Sequence, residues 1–569
     1  MRAVGRPRVG AVRNTAVAPT PPSPRRRADV YCAVSALLLV AAAFTVPRIM
    51  GKQWQDHLYA GAAPIFGNWL PHVSWGTAAA VVLALAVIGY GPDLSRRLPW
   101  RRLLLVAWSA AAAWAFALAM ADGWQRGFAG RLTTHDEYLH EVGGVRDIPA
   151  MLRGFSDRIL DFQPDSWTTH VSGHPPGALL SFVLLDRLGL GGGGWAALLC
   201  LLVGASTAAA VPVAIRALGS EDRARAAVPF LVLAPAAIWI AVSADALFAG
   251  VTAWAVAFLA IATRRDRHWA LWGLAAGLAF GYGLYLSYGL VLMAVPAAAV
   301  LLARTFRPIA PAAVGVLLVV AAFTAAGFWW PDGYQLVVER YYQGIASERP
   351  FSYWVWGNLA ATICVVGLAS AAALHRVVGG LRIREPLRAL RTVPGEGHSP
   401  GITPGTVRSN ASPATEHGDA NPGEPDRTRA SSPIESTADA RIGEPLRSEH
   451  SSTATRVRDL TDEAVGQRNP GTARSRTPLR VSRATLSAAL QSWRATVDPA
   501  ALLAVAGVVA VLAANLSGLS KAETERIWLP FDVWILAGTA LLPRRDIRLW
   551  LAVQAVGTLL VSHLILTNW

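Results

Sequence analysis

Asp136 and Glu137 stand side by side in the polar stretch Thr134-His135-Asp136-Glu137-Tyr138, and His174-Pro175-Pro176-Gly177 follows where the chain turns apolar again. Two adjacent carboxylates repel unless one is engaged by a cation or by hydrogen bonds. A pair of this kind, held in a loop between apolar runs, points to chemistry done where lipid meets water. His135, His140, His170 and His174 lie close to the pair in sequence, and imidazole with carboxylate would suit several divalent ions. No tight ligand spacing such as H-E-x-x-H occurs, so no metal and no cofactor is assigned. Further charged candidates are Asp245, in the turn Ser243-Ala244-Asp245, and Lys521, Glu523, Glu525 and Arg526 in a late polar segment that ends in Ile527-Trp528.

The elements that must position these residues are membrane helices. The chain has 569 residues, of which 53% are hydrophobic, and much of the apolar content lies in uninterrupted runs of about twenty residues. One soluble core would not hide so much apolar surface. The formal charge of +15 comes from arginines that fall mostly in short clusters beside apolar runs, where they orient helices. This placement argues against a nucleic-acid partner. The three cysteines, Cys32, Cys200 and Cys364, each sit inside an apolar run, which indicates neither a disulfide framework nor a zinc ribbon. Residues 1–27 end in Arg25-Arg26-Arg27 and read as a basic cytoplasmic tail before a retained first helix.

Arginine-bearing loops alternate with loops that lack them, and this fixes an expected topology of about thirteen spans, an all-α polytopic bundle. The catalytic core is expected over 28–374. Helices over about 28–47, 74–91 and 103–121 lead to an outer loop, 122–193, in which Pro175–Leu190 reads as a short helix lying at the outer interface because Asp186 and Arg187 interrupt it. Runs over about 195–215, 226–242, 309–328 and 354–374, with one helix that ends inside at Arg264 and one hairpin lying between 242 and 309, complete the core. Residues 375–497 are rich in Arg, Ser, Thr, Pro, Gly and Glu with little apolar periodicity, and read as a disordered cytoplasmic insert whose end, Leu486–Trp493, forms a short amphipathic helix at the inner surface. Three more spans are expected in 498–569, over about 499–518, 527–542 and 549–566. The amino terminus then lies inside and every candidate acid named above lies outside.

In order and shared sidedness, Asp136-Glu137 in the first large outer loop, His174-Pro175-Pro176 opening the next apolar segment and the Ser243-Ala244-Asp245 turn together resemble the GT-C membrane glycosyltransferases. Within them the likeness is to the group of protein O-mannosyltransferases and lipid A aminoarabinose transferases. The hairpin Gly277–Tyr288, with Gly277 and Gly281 at G-x-x-x-G spacing and Leu286-Ser287-Tyr288 at its outer end, is also similar to that group's. The match runs best over residues 103–330. Two helices precede the Asp-Glu loop where that group usually has one, and the long insert is foreign to it.

The resemblance implies a lipid-linked sugar donor, a polyprenyl-phosphate sugar, and a hydroxyl acceptor that is a protein or a cell-envelope glycan. Asp136 would be the general base, with Glu137 positioning the acceptor or tuning Asp136. Asp245 would orient the sugar or the loop, and His174 would hold the loop or touch the sugar. Arg526 would bind the departing phosphate, since a guanidinium can hold two phosphate oxygens and a helix amino terminus favours an anion. Lys521, Glu523 and Lys52 are its companions or substitutes. The aromatic run through Trp329, Trp330, Tyr334, Tyr341, Tyr342, Tyr353, Trp354 and Trp356 would stack on sugar, line a prenyl channel or anchor the chain in the membrane interface. Mannose, arabinose and galactose all remain open as the sugar. Composition rich in Ala and Arg with two lysines suits a GC-rich genome, and a bacterial plasma membrane is the expected location. A transporter and a noncatalytic membrane scaffold are the readings from other classes.

Overall fold

The computed structural model describes residues 24–382 and 483–568. The basic tail over 1–23 and most of the expected insert lie outside the described residues. What is described is almost wholly helical, with one two-stranded antiparallel ribbon in which β1 (Gly67–Trp69) pairs with β2 (Ile565–Thr567).

Nine helices among the described residues are long and apolar enough to cross a membrane, or ten if a helix pair bent by 75° counts as one span. They include α1 (Pro24–Met50), α3 (Trp75–Arg97) and α4 (Trp100–Ala119), which follow the expected runs, with α2 (Lys52–His57) between the first two. The polar loop folds into short pieces: α5 (Tyr138–Val142), α6 (Ile148–Arg153), α7 (Thr169–Ser172) and α8 (Pro176–Arg187). The last is the short helix read at Pro175–Leu190. Next, α9 (Gly193–Ala205) and α10 (Thr207–Ala217) join as one 25-residue span.

Among the described residues, thirteen full spans are not found. The run expected over 226–242 is broken into α11 (Glu221–Val232) and α12 (Ala237–Ile240), because Pro229 and Pro235 remove amide donors the helix needs. After α13 (Ala244–Ala262) and α14 (Trp269–Leu286), the return leg is a 3₁₀ turn and α15 (Ala294–Ala303). Then α16 (Ile309–Ala325) bends at Gly327 into α17 (Trp330–Gln343). The run expected to end at 374 continues as α18 (Phe351–Gly380), so the insert's expected first residues are helical. Its last residues are also helical, as α19 (Arg483–Thr496), which docks through Trp493 Nε1 on the Leu381 carbonyl at 2.9 Å. The chain closes with α20 (Pro499–Leu516), the short α21 (Thr524–Ile527) and α22 (Leu529–Ile535), and α23 (Ile547–Leu564). At 1.5 Å per residue, the shorter pieces fall well below the roughly 30 Å of a bilayer core.

Gly277 and Gly281 lie on a seam that differs from the expected hairpin. They face α16 rather than the next helix in sequence: a Cβ on Gly277 would stand 2.0 Å from the Ala312 carbonyl oxygen, and one on Gly281 would meet the Val319 Cβ at 2.9 Å. The missing side chains let two backbones approach, as small residues do in membrane bundles.

The loops sort into two ends of the bundle. At one end the β1–β2 ribbon, the Asp161–Arg340 pair at 2.7 Å and Arg349, donating to the carbonyls of Tyr59 and Lys521, join the segments read as outer. At the other end Arg225 donates to the carbonyls of Ser95 and Leu98, Arg223 pairs with Asp498, Arg26 with Asp546, and Asp29 takes both Arg376 and His375. These join the segments read as inner, so the arginine alternation matches the division of the fold.

Candidate functional site

At the acid-bearing end the chain after α4 tightens through a π-helical turn and the 3₁₀ turn Arg131–Thr133, and then turns over Thr134 to Glu137, closed by the Glu137 amide donating to the Thr134 carbonyl at 3.0 Å, before α5. Asp136 is a central residue of that turn, whereas Glu137 ends it in extended backbone at the amino-terminal cap of α5. The neighbouring carboxylates therefore part company. Glu137 is 3% exposed, whereas the Asp136 side chain is 64% exposed.

Glu137 begins a buried chain of polar contacts. Its Oε1 lies 3.2 Å from His170 Nδ1 on α7, and His170 Nε2 lies 3.0 Å from Arg526 Nη2 on α21. Arg526 then donates from Nη1 to Asp245 Oδ2 at 2.7 Å and from Nη2 to Glu523 Oε2 at 2.8 Å. Four segments distant in sequence meet here. Burial acts to raise the Glu137 pKa, but the charge and hydrogen bond of His170 and the charges of Arg526 and Arg131 outweigh it and hold the carboxyl below its usual range. Glu523 is balanced in the same way: burial raises it, and Arg526 and Arg349 bring it lower still. Arg131, also buried, is pushed down to about 10, first by burial and then by the nearby charge of Arg126. Arg349 Nη1 reaches the Lys521 carbonyl at 2.8 Å and Glu523 Oε1 at 3.3 Å, which fixes the loop before α21.

Asp136 faces outward at the edge of this network. Its Oδ1 accepts the Thr169 hydroxyl at 2.9 Å, and its carbonyl accepts the His170 amide at 3.0 Å, so the exposed acid is tied to the residue that carries the buried one. His174 follows one turn after His170, with Nδ1 2.8 Å from the His170 carbonyl oxygen and its ring against Tyr138 and Phe248. Burial pushes its pKa down to about 4, which keeps it neutral near pH 7. Pro176 opens α8 beneath it.

The structure thus brings together Glu137, Asp245, Glu523 and Arg526, with Asp136 and His174 bordering them. Lys521 is placed differently: its ammonium donates to the Ala346 carbonyl at 2.9 Å, while Lys52 is exposed on α2. Arg526 takes three protein partners, which is the pairing with Glu523 that its i, i+3 spacing allows, extended to Asp245. Sequence reasoning missed the linking role of His170, although its i, i+4 spacing to His174 was visible, and gave no role to Arg131 or Arg349. A ring stack of Trp330 on Tyr334, 5.5 Å between centroids, with Tyr288 at its edge, lies on α17. Among the described residues no three His, Cys, Asp or Glu side chains converge as a metal set would.

Comparison with protein-family models, with curated proteins and with solved structures gives no match.

Proposed function

We propose that this protein is a membrane glycosyltransferase of the GT-C kind, moving a sugar from a polyprenyl-phosphate donor to a hydroxyl acceptor at the outer face of a bacterial plasma membrane. One observation carries the reading: a solvent-facing carboxylate, Asp136, hinged to a buried acid–histidine–arginine network. Asp136 takes the proton of the acceptor hydroxyl as its oxygen attacks the anomeric carbon. The bond from that carbon to the phosphate oxygen breaks, the polyprenyl phosphate departs with the electron pair, and the anomeric centre inverts.

The buried partners set the geometry. Glu137, His170, Asp245 and Glu523 hold Arg526, and through the Asp136 backbone they fix where the base stands. Arg526 would bind phosphate only by giving up a protein carboxylate, so in this reading it is a positioning residue. Lys521 gives one of its three donors to Ala346 and supplies the cation for the leaving group. The acceptor class stays as broad as a protein hydroxyl or an envelope glycan.

The test is transfer of labelled sugar from a panel of polyprenyl-phosphate sugars, comparing membranes that hold the wild type with membranes that hold Asp136→Asn. Incorporation that depends on the wild type and is lost in the variant supports the proposal, and no incorporation from any donor with intact protein overturns it. A secondary transporter is the second reading, and Asp532 is the observation that favours it: an ionisable residue fully buried within the bundle, a placement that often marks an ion pathway.

A further inference from the structure

Three polar side chains in the stretch after Glu523 stand apart from the network around Arg526. Glu525, Trp528 and Asp532 are 0%, 1% and 0% exposed, and each carries a polar atom with no hydrogen-bond partner among the described residues: Glu525 Oε2, Trp528 Nε1, and both Oδ1 and Oδ2 of Asp532. The backbone runs helically through all three, with the Trp528 amide donating to the Thr524 carbonyl at 3.0 Å and the Asp532 amide to the Trp528 carbonyl at 2.9 Å. Spacing of i, i+3 and i+7 puts the side chains on one face, and the rise of a helix separates the two acids by about 10 Å along its axis.

The surroundings differ at the two ends of this face. Asp532 lies on α22, which packs among α10, α13, α18 and α20 and against the 3₁₀ turns Tyr288–Met293 and Leu536–Leu541, the first of which carries the buried hydroxyl of Tyr288. The charged groups those helices carry are committed elsewhere: Asp245 to Arg526, Arg216 to Glu221, and His375 and Arg376 to Asp29. Cys364 on α18 lies toward Glu525. A carboxylate at Asp532 would therefore be a buried charge with neither counter-ion nor hydrogen bond, which costs several kcal/mol or more. Glu525 has one oxygen anchored, Oε1 accepting the Phe66 amide at 2.7 Å, and it neighbours the charges of Glu523 and Arg526.

We propose that Glu525 and Asp532 form a proton-binding pair in which one proton exchanges between the acid-bearing end and the interior of the bundle. Asp532 is the neutral acid and Glu525 the group that takes up and gives up a proton at the acid-bearing end; a proton that passes inward from the Glu525 carboxyl to Asp532 is matched by the Asp532 proton passing back, so that Asp532 stays protonated. No electrons change hands, and the exchange leaves the charge of the pair unchanged. Over this distance the transfer runs through water, to which the unpartnered atoms of all three side chains offer hydrogen bonds. Burial pushes Glu525 up to about 7, which suits it to give and take a proton near neutrality. The inference needs no sugar donor and stands whichever of the two functional readings holds.

Infrared difference spectroscopy on the full chain in liposomes tests it without any activity assay. The wild type is expected to show the carbonyl stretch of a protonated carboxyl that shifts on transfer to D₂O and is missing in the near-isosteric Asp532→Asn. A second such band, lost in Glu525→Gln, is expected to titrate near neutral pH. In Glu525→Gln the deuterium shift of the Asp532 band should slow by about tenfold or more, since the route to bulk water is interrupted. Unchanged elution and thermal unfolding of both variants establish that they fold. A wild-type spectrum without a protonated-carboxyl band would overturn the proposal, as would an Asp532 band whose exchange is indifferent to Glu525→Gln.

Discussion

Asp136 and Glu137 are neighbours in sequence with opposite fates, and the difference decides what each substitution does. Asp136→Asn removes the proposed base but only a solvent-facing charge, so transfer should fall by about 10²–10⁴-fold while the unfolding midpoint moves by the equivalent of less than about 0.5 kcal/mol. Arg526→Met does the reverse, leaving Asp245 buried without its cation and Glu523 with Arg349 alone. A loss of about 3–5 kcal/mol in thermal or denaturant unfolding is expected, which Arg526→Lys repairs only in part because an ammonium lacks the guanidinium fork. Glu525 gives a pH signature. A carboxyl whose folded-state pKa is raised contributes stability below the value of a free Glu, and that contribution is lost as pH rises through about 7. Thermal unfolding of Glu525→Gln should therefore change less than the wild type between about pH 5 and 8 and exceed it at the upper end. The residue types were legible in the sequence. Their partners were not: nothing local to Arg526 says that Asp245, 281 positions away, shares its guanidinium.

Among the elements, the apolar runs located the long helices to within a few residues, since length and hydropathy are local quantities. Broken helices were less legible. The stretch over 226–242 has the composition of a span, yet Pro229 and Pro235 divide it, and α15 and α22 are too short to cross alone. The G-x-x-x-G spacing reads only as a likeness to a family hairpin, and the close contact it makes with α16 was not legible from it. Gly277→Ala should cost about 1–3 kcal/mol, because its Cβ meets backbone that cannot yield, whereas Gly89→Ala, with open space around it, should be neutral or slightly stabilising. Thermal-shift midpoints in detergent compare the two. Equal effects would mean that α14 and α16 do not form the seam.

Taken whole, the molecule segregates its charge. Arginines with their acids tie one end together, and the other end carries the buried network with Asp136 at its rim. We propose that the acid-bearing end faces outward, which thiol labelling of intact cells tests in a background without native cysteines. His135→Cys should react with a membrane-impermeant reagent in intact cells, and Arg265→Cys only after permeabilisation. Labelling of the opposite pattern would invert the proposed orientation and remove lipid-linked sugar from the face where Asp136 stands.

The sequence by itself determined that this is a multi-pass helical membrane protein, where its long helices run, and which loops gather at each end, because hydrophobic length and arginine placement act on each segment separately. Only the tertiary structure decided which of two adjacent acids is buried, that His170 bridges Glu137 to Arg526, and that Glu525 and Asp532 lie on one enclosed face. Those outcomes depend on contacts between segments far apart in the chain, and burial, the quantity that sets their chemistry, does not exist until the helices have packed.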